Sequence, residues 1–330
     1  MSDVAVRRPA DVTTVPIRRS GDVGDRVFAA LTTSAGVFVL VLLTGLILSL
    51  LLGAWPAFRH YGVGFLTSAD WDPGHTDSAG NADPIYGAAG PIFGTIVTSI
   101  IALVMAVPLA FGIAFFLTEL APNWLRRPIG TAVELLAAVP SIVYGMWGVS
   151  VIRPLMANYV QPHVIDTFAG VPVLQNLFAG PPFGFGIMTA GLILGVMVLP
   201  FIAATMRDVF LTVPGVFKES AYSFGCTMWE VMWRIVVPYT RASVIGGIML
   251  GLGRALGETL AVTFVIGTRD GISANLFAPG STIASKIALN YGNSDGITLS
   301  ALLALGFLLF VISFIVLAIS RTLLRPGAHA

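Results

Sequence analysis

Runs of residues that carry no charge are the feature that most constrains what this chain can fold into. One run, from Val27 to Phe58, contains 32 consecutive uncharged residues. A helix needs only about 20 apolar residues to cross the hydrocarbon core of a bilayer, and the apolar part of a signal peptide is shorter still. Charged residues make up 11% of the chain, compared with roughly 25% in soluble domains. The sequence therefore predicts an all-α, polytopic membrane protein that retains its first apolar segment.

Six transmembrane helices account for the uncharged runs. We place the first at 27–53 and the other five near 92–117, 129–152, 185–206, 242–268 and 296–320. The predicted organisation is a basic tail at 1–26, this first helix, a loop at 54–91, a transmembrane domain at 92–322 and a short tail at 323–330. Three outer loops, at 54–91, 153–184 and 269–295, are long and rich in turn residues. They are either connectors or docking surface for an external partner, and the sequence leaves both alternatives open.

The distribution of lysine and arginine sets the orientation, because positively charged loops resist translocation. With the N-terminus inside, thirteen of the 18 lysines and arginines lie inside, and four lie outside, namely Arg59, Arg153, Arg269 and Lys286. The remaining one, Arg254, falls within a predicted span. We therefore expect a multi-pass protein of the cytoplasmic membrane, with both termini and the loop at 207–241 in the cytoplasm.

Composition also excludes several classes of function. Cys226 is the only cysteine, which excludes an intramolecular disulfide and a cysteine-based metal cluster. The four histidines lack metal-ligand spacing, and a net charge of +1 without a basic module gives no ground for a nucleic-acid partner. The chain contains no G-x-x-x-x-G-K-[ST] phosphate loop. We therefore expect no catalytic residue, no metal site and no cofactor bound by this chain.

The loop at 207–241 carries the signals of two short helices. Pro214 is favoured at the start of a first helix, and Gly225 is favoured just after its end. Thr227 and Glu230 have the spacing of a capping box, which begins a second helix. We expect this second helix to end before Pro238, because proline cannot donate to the helical hydrogen-bond ladder.

An apolar stripe is predicted on the second helix at positions i, i+3, i+4 and i+7, formed by Met228, Val231, Met232 and Ile235. Either this stripe packs on the chain's own helix ends or it inserts into a partner. The spacing E-A-A-x3-G-x9-I-x-L-P is matched at Glu219, Ala221, Gly225, Ile235 and Pro238, with departures at Ser220 and Val237. This spacing resembles the EAA signature of ABC importer permeases, and it favours insertion into a partner.

Two charged residues are predicted deep in the fifth span. Arg254 lies 13 residues beyond Arg241, which places it about 20 Å into the membrane. Glu258 follows four residues later, on the same face of a continuous helix, where it would pair with Arg254. Gly247 and Gly251 share that face and would admit a neighbouring helix or a solvated cavity. Such charges form either a structural ion pair or part of a pathway, and the glycines favour the pathway.

Glu134 begins a further element that leads to Pro140. It lies 7 residues beyond Arg127, so it is expected near the inner interface of the membrane. It is either a carboxylate that caps or pairs locally or a gate residue, and these alternatives stay open.

Three segments together resemble the PstC-type permeases of phosphate ABC importers: Glu134-Leu-Leu-Ala-Ala-Val-Pro140, Gly251-Leu-Gly-Arg254-Ala-Leu-Gly-Glu258-Thr259 and the Glu219 loop. The likeness runs from the first span to the sixth and leaves the N-terminal tail outside. Trp71 in the long first outer loop and the string Ile92-Phe-Gly-Thr-Ile favour the C-type over the related A-type permease. The resemblance implies the type I ABC importer permease fold.

Three kinds of site residue are therefore expected. We expect a translocation pathway at Arg254, Glu258 and Thr259, and Glu134 and Pro140 are the candidate gate. The resemblance implies an ATPase-coupling loop whose residues are Glu219, Ser220, Ala221, Gly225, Ile235 and Pro238.

The partners implied are a homologous PstA-type permease, a dimer of PstB-type ATP-binding subunits that uses ATP and Mg, and an extracytoplasmic PstS-type phosphate-binding protein. This chain would be the non-catalytic permease subunit that translocates inorganic phosphate. One alternative is an ion-coupled secondary transporter of an anion, with Arg254 and Glu258 as a proton relay. Another is a channel or a structural membrane protein. The coupling loop and the lack of an evident internal repeat argue against the secondary transporter.

Overall fold

The computed structural model describes residues 22–76, 78 and 80–323 of the chain. Residues 1–21 of the predicted basic tail and residues 324–330 of the predicted C-terminal tail lie outside this part. The chain divides into two compact units between Ser49 and Leu50. In the first unit, residues 22–49 form one helical segment, and the side chains of residues 23–49 are exposed almost throughout. All other described residues belong to the second unit.

Helices make up most of the described chain. In its first half they are α1 (Asp22–Tyr61), α2 (Gly64–Thr67), α3 (Ala89–Phe115), α4 (Asn123–Ala137), α5 (Ser141–Trp147), α6 (Arg153–Leu155), α7 (Gln161–Phe168) and α8 (Pro172–Leu177). In its second half they are α9 (Ile187–Leu211), α10 (Gly215–Ser223), α11 (Met228–Val231), α12 (Val237–Leu256), α13 (Leu260–Ile266), α14 (Ile283–Asn290) and α15 (Gly296–Leu323).

Shorter elements join these helices. π-Helical turns occur at Phe116–Leu120, Gly148–Ile152, Met156–Val160 and Met232–Val236, and a 3-10 turn occurs at Tyr291–Asn293. Two antiparallel strands, β1 (Trp71–Asp72) and β2 (Ile85–Tyr86), pair Trp71 with Tyr86.

The number of membrane spans agrees with the prediction of six once a bent helix pair is counted as one span. Within the described residues, five helices are long and apolar enough to cross a membrane: Val23–Tyr61, Ala89–Leu120, Ile187–Leu211, Met228–Leu256 and Gly296–Thr322. The pair Asn123–Ala137 and Ser141–Phe168 passes the same test together, with a bend of 91° between its members.

Two of the six spans are interrupted, although the sequence predicts continuous helices. The third, predicted near 129–152, breaks between Ala137 and Ser141, around Pro140. The fifth, predicted at 242–268, ends at Leu256 and resumes at Leu260. The first helix differs in length rather than continuity, because it extends to Tyr61 and so includes the start of the predicted 54–91 loop.

Close packing of α3 on α9 forms the centre of the second unit. Four alanines of α3, spaced by four residues and fully buried, form one face of the helix: Ala102, Ala106, Ala110 and Ala114. On α9, a Cβ at Gly191 would overlap Ile101, and a Cβ at Gly195 would overlap Met105. Small side chains therefore let the two helix backbones approach, which is the main source of helix association where lipid surrounds the protein.

The residues of the predicted 54–91 loop build a second core with α14 and α15. Phe65, Trp71 and Tyr86 are almost fully buried, and the ring centroids of Trp71 and Tyr86 are 4.7 Å apart. Ile283 of α14 and Leu305 of α15 belong to the same cluster. This region is therefore a packed part of the fold.

The start of α3 is fixed to the start of α14. Thr95 Oγ1 accepts a hydrogen bond of 2.9 Å from the backbone N–H of Ile283. Beside it, Gly94 lies so close to the Ser281 carbonyl oxygen that a Cβ would overlap that oxygen. Gly112, on the same helix, would have no heavy atom of a neighbouring element within 4 Å of a Cβ.

We predict opposite effects for the same substitution at these two glycines. Gly94→Ala should lower the thermal stability of the permease, because overpacking against a fixed backbone costs about 1–3 kcal/mol. Gly112→Ala should leave stability unchanged or raise it, since alanine favours a helix over glycine by up to about 1 kcal/mol. Thermal unfolding of both variants in one detergent measures the difference. Equal melting temperatures for the two variants would contradict the close approach of α3 and α14.

Candidate functional site

The two interrupted spans contact each other. Gly145 of α5 lies against α13, where a Cβ would come within 2.9 Å of both the Ala261 Cα and the Phe264 ring. α5 follows the interruption at Pro140, and α13 follows the interruption after Leu256. The fold therefore brings together the segments that carry the predicted gate and the predicted pathway residues.

The interruption at Pro140 follows from the hydrogen-bonding limits of proline. In a continuous helix the N–H of residue 140 would bond to the carbonyl oxygen of Leu136, but proline has no N–H. The Tyr144 hydroxyl donates a hydrogen bond of 2.8 Å to that oxygen, and the N–H of Val139 donates another of 3.2 Å. The exposed carbonyl is therefore satisfied, and Tyr144 joins α4 to α5 across the bend.

Glu134 pairs with a neighbouring span. Its carboxylate accepts a hydrogen bond of 2.7 Å from Arg207 at the end of α9, and Arg207 also bonds to Asp208 at 2.9 Å. The carboxylate therefore forms an ion pair, as the first of the two alternatives for Glu134 expects, although its partner lies 73 positions away. The gate role of Glu134 and Pro140 stays a prediction.

The predicted ion pair between Arg254 and Glu258 is wrong. That prediction assumed a continuous helix, but α12 ends at Leu256 and the chain turns at Gly257. The Glu258 carboxylate instead accepts a hydrogen bond of 3.2 Å from the backbone N–H of Ala261, at the start of α13. The first turn of a helix has unbonded N–H groups and a partial positive charge, so it competes for this carboxylate.

Arg254 is left without a carboxylate partner. No acidic side chain of the described residues lies within ion-pair distance of its guanidinium, which is exposed in the isolated chain and lies 6.0 Å from the ring centroid of Phe201. Thr259 lies at the same interruption, where its hydroxyl donates to the Gly257 carbonyl oxygen at 3.3 Å. The site is therefore an uncompensated cation beside a break in a membrane-spanning helix.

The glycines next to Arg254 pack against α9, and Gly247 also lines a cavity between α12 and α15. A Cβ at Gly247 would lie 2.7 Å from the Thr205 side chain, and one at Gly251 would lie 2.7 Å from Ile202. Both neighbours belong to α9, so close approach of another helix, the first of the two predicted uses, is observed at both glycines.

Two local signals of the predicted loop at 207–241 are confirmed, the turn at Gly225 and the capping box at Thr227, although α9 extends to Leu211 and α12 begins at Val237. Helix α10 is followed by Gly225 with φ of +83°, a conformation that glycine adopts without strain. The Thr227 side chain accepts from the Glu230 N–H, and the Glu230 side chain accepts from the Thr227 N–H, which completes the capping box. The second helix does not end before Pro238.

A π-helical turn explains how the helix passes Pro238. In this turn, Met232–Val236, the N–H of Val237 bonds back to the carbonyl oxygen of Met232, one residue further than in an α-helix. The wider turn relieves the clash between a proline ring and the preceding turn. One helical segment therefore runs from Met228 to Leu256 and joins the coupling loop to Arg254.

The apolar stripe of this segment is covered by the chain itself. The hydrophobic cluster that contains the buried residues of α3 and α9 is the main core of the chain. Val231 and Met232 are fully buried in this main core, and Ile235 packs against it. The preference for insertion of this stripe into a partner is therefore wrong, because these side chains are already buried in, or packed against, the chain's own core. Other apolar side chains of the loop remain exposed, notably Val216, Phe217 and Phe224, of which Phe224 is 89% exposed.

An ion pair that the sequence analysis missed holds α10 in place. Lys218 Nζ donates a hydrogen bond of 2.6 Å to the Glu119 carboxylate, and both side chains are largely buried. Burial, and to a lesser extent the Glu119 charge, raise the pKa of the nearby Tyr222 above its ordinary value. Glu119 lies in the π-helical turn after α3, so the coupling loop is attached to α3 as well as to α12.

The remaining coupling residues differ in exposure. Ala221 is buried in the main core, whereas Glu219, Ser220 and Pro238 are exposed. Among the described residues, no group of three or more histidine, cysteine, aspartate or glutamate side chains is placed to hold a metal ion.

Comparison with known proteins identifies the family. Residues 85–325 match the family described as the binding-protein-dependent transport system inner membrane component. The chain is 52% identical over 298 residues to the phosphate transport system permease protein PstC of Pasteurella multocida, covering 90% of this chain and 91% of that protein. The chain belongs to the PstC phosphate permease family. The predicted C-type assignment is thereby confirmed, and the chain is a multi-pass inner-membrane component of a transport system.

Other relatives extend this result. The PstC protein of Mesorhizobium japonicum is also 52% identical, over 98% of this chain and 97% of its own length, so the likeness includes residues of the N-terminal tail that the sequence analysis left outside. The crystal structure of a bacterial alginate ABC transporter, in complex with an alginate-bound periplasmic protein, contains a chain with a TM-score of 0.56 at 15% identity. The match covers 93% of this PstC-family chain and 97% of that chain, which confirms the predicted ABC importer permease fold.

Proposed function

We propose that this PstC-family chain is the permease subunit of an ATP-driven importer and moves inorganic phosphate across the cytoplasmic membrane. The observation that carries the proposal is the Arg254 guanidinium, which has no carboxylate partner among the described residues and lies beside an interrupted helix inside an apolar span. The family relationship supports phosphate as the substrate, since relatives at 52% identity are phosphate transport system permeases.

Arg254 would lower the barrier to phosphate inside the membrane. Removing a phosphate ion from water is unfavourable unless fixed cations or hydrogen-bond donors replace its hydration. A guanidinium donates two parallel hydrogen bonds to phosphate oxygens and stays charged when it is partly desolvated. Because Glu258 caps α13, its carboxylate does not neutralise this cation. Glu258 and Thr259 then belong to the pathway as residues that shape the interruption.

Motion of the coupling loop would reach the pathway through the helix that carries Arg254. Residues Glu230 and Arg254 are 24 positions apart on one helical segment, about 36 Å along its axis. The Lys218–Glu119 pair attaches α10 to the end of α3, so a displacement of the loop would move two spans together. We propose that the exposed residues Val216, Phe217 and Phe224 contact the ATP-binding subunits. The bend at Pro140, which packs beside α13, is the proposed gate.

The proposed assembly contains a homologous PstA-type permease, two PstB-type ATP-binding subunits and a PstS-type phosphate-binding protein. This chain is then a non-catalytic subunit, and ATP and Mg bind to the ATP-binding subunits. The split of thirteen inner and four outer basic residues supports cytoplasmic termini and a cytoplasmic coupling loop.

Reconstitution tests the proposed function against ion-coupled transport. Proteoliposomes that contain the assembled importer should accumulate labelled phosphate when ATP is supplied to the coupling-loop side and the binding protein to the other side. An imposed proton or sodium gradient without ATP should give no accumulation. Accumulation driven by the gradient alone would contradict the proposal and support the secondary transporter.

Substitution of Arg254 tests the pathway. Arg254→Gln should lower phosphate uptake by about a hundredfold, because two hydrogen bonds to a charged group are each worth about 1.5 kcal/mol or more. Arg254→Lys should retain part of the rate, since lysine keeps the charge but cannot donate two parallel hydrogen bonds. Assembly and basal ATP hydrolysis should persist, and Arg321→Gln at the end of α15 serves as the control. Normal uptake by the Arg254→Gln, Glu258→Gln double variant would contradict the pathway role.

A further inference from the structure

A basic pocket lies at the opposite end of α13 from Arg254. It has a volume of about 420 Å³, and the residues that define it here are Arg153, Phe185, Gly267, Thr268, Arg269 and Pro279. Helix α13 contains 7 residues, so its two ends are separated by about 10 Å. The pocket is thus one short helix away from the interruption that carries Arg254, and in the proposed orientation it lies on the extracytoplasmic side.

Both arginines of the basic pocket lack an acidic partner. No carboxylate of the described residues lies within ion-pair distance of Arg153 or Arg269, and none lines the pocket. The Arg153 guanidinium lies 3.9 Å from the ring centroid of Phe185. Stacking on a ring fixes the plane of a guanidinium and leaves the N–H groups at its edge free to donate. Together with Arg269, this guanidinium provides charged donors for an anion.

The acidic residue nearest to Arg269 in sequence forms an ion pair outside the basic pocket. Asp270 follows Arg269 but forms an ion pair with Lys286 of α14. Lys286 is only 9% exposed and lies 5.1 Å from the ring centroid of Trp71, in the β1 strand. Because Lys286 takes up the Asp270 charge, the positive charge of Arg269 remains uncompensated in the basic pocket.

The backbone at the floor of the basic pocket requires glycine. Gly267 has φ of +84°, and a Cβ there would lie 2.8 Å from the Pro279 side chain. This turn ends α13 and directs Thr268 and Arg269 into the pocket lining. The Thr268 hydroxyl thereby adds a neutral donor beside the two cations.

We propose that the basic pocket is a phosphate site, which holds inorganic phosphate on the extracytoplasmic side before it passes along α13 to Arg254. This inference rests on the proposed function and adds a second site to it. A phosphate group could reach such a pocket as the free ion or as a lipid headgroup, and the assignment is to the free ion.

Transport by the assembled importer provides the first test. The Arg153→Gln, Arg269→Gln double variant should take up phosphate at least about tenfold more slowly, because each lost charge-assisted hydrogen bond weakens phosphate binding. Arg269→Lys should recover part of the rate, and Arg59→Gln, an outer arginine at the end of α1, is the matched control. ATP hydrolysis stimulated by the binding protein should persist in the double variant. Loss of that stimulation would assign the arginines to docking, and normal uptake would remove any role for them; either result overturns the proposal.

Direct protection of the basic pocket provides the second test. A Thr268→Cys, Cys226→Ser variant of the assembled importer is labelled with a negatively charged methanethiosulfonate in a detergent that contains no phosphate. Inorganic phosphate should slow the labelling severalfold, and chloride at the same ionic strength should not, because a tetrahedral oxyanion can accept hydrogen bonds from both arginines at once. Equal protection by chloride would overturn the assignment to a phosphate site. If labelling is already slow in phospholipid nanodiscs without inorganic phosphate, the pocket binds a lipid headgroup. That result would also overturn the proposal.

The two tests separate the site from the function. If the unmodified importer accumulates no phosphate, the proposed function fails, and the role of the basic pocket in it fails too. If the unmodified importer works and the double variant works equally well, only the pocket assignment fails.

Discussion

The structure depends on how a backbone can be interrupted where no water is available to bond to it. In hydrocarbon, every N–H and C=O group needs an internal partner, so a span is normally one continuous helix. Two spans of this chain break that pattern, and each break is closed by a side chain. Tyr144 donates to the carbonyl oxygen that Pro140 leaves free, and Glu258 accepts from the first turn of α13. The second of these bonds determines the charge of the site, because it occupies the carboxylate that would otherwise neutralise Arg254.

This arrangement joins the proposed sites into one path. The basic pocket lies at one end of α13 and Arg254 lies beyond the other end, so a phosphate ion would meet arginine side chains on both sides of a short helix. The segment from Met228 to Leu256 then connects Arg254 to the coupling loop. Since α9 packs closely against both α3 and α12 through glycine and alanine contacts, a movement of the coupling loop would be transmitted through rigid helix pairs.

The sequence predicted features that depend on neighbouring residues and missed features that depend on distant ones. Six spans follow from apolar length, and the Gly225 turn and the Thr227–Glu230 capping box follow from local backbone chemistry. The prediction of an Arg254–Glu258 ion pair is wrong because a spacing of four residues brings side chains together only on an unbroken helix. The prediction that the helix ends before Pro238 is wrong because a π-helical turn accommodates the proline. The Lys218–Glu119 pair joins residues 99 positions apart, and no local pattern indicates it.

The most direct test of this account compares two substitutions of Glu258 in the assembled importer. Glutamine keeps an oxygen that can accept from the Ala261 N–H, whereas leucine removes the acceptor at a similar volume. If the carboxylate acts by closing the helix interruption, Glu258→Gln should take up phosphate at least about tenfold faster than Glu258→Leu, as expected for retention of a helix-capping hydrogen bond. Equal impairment of the two variants would show that the negative charge itself is required, and it would contradict the account.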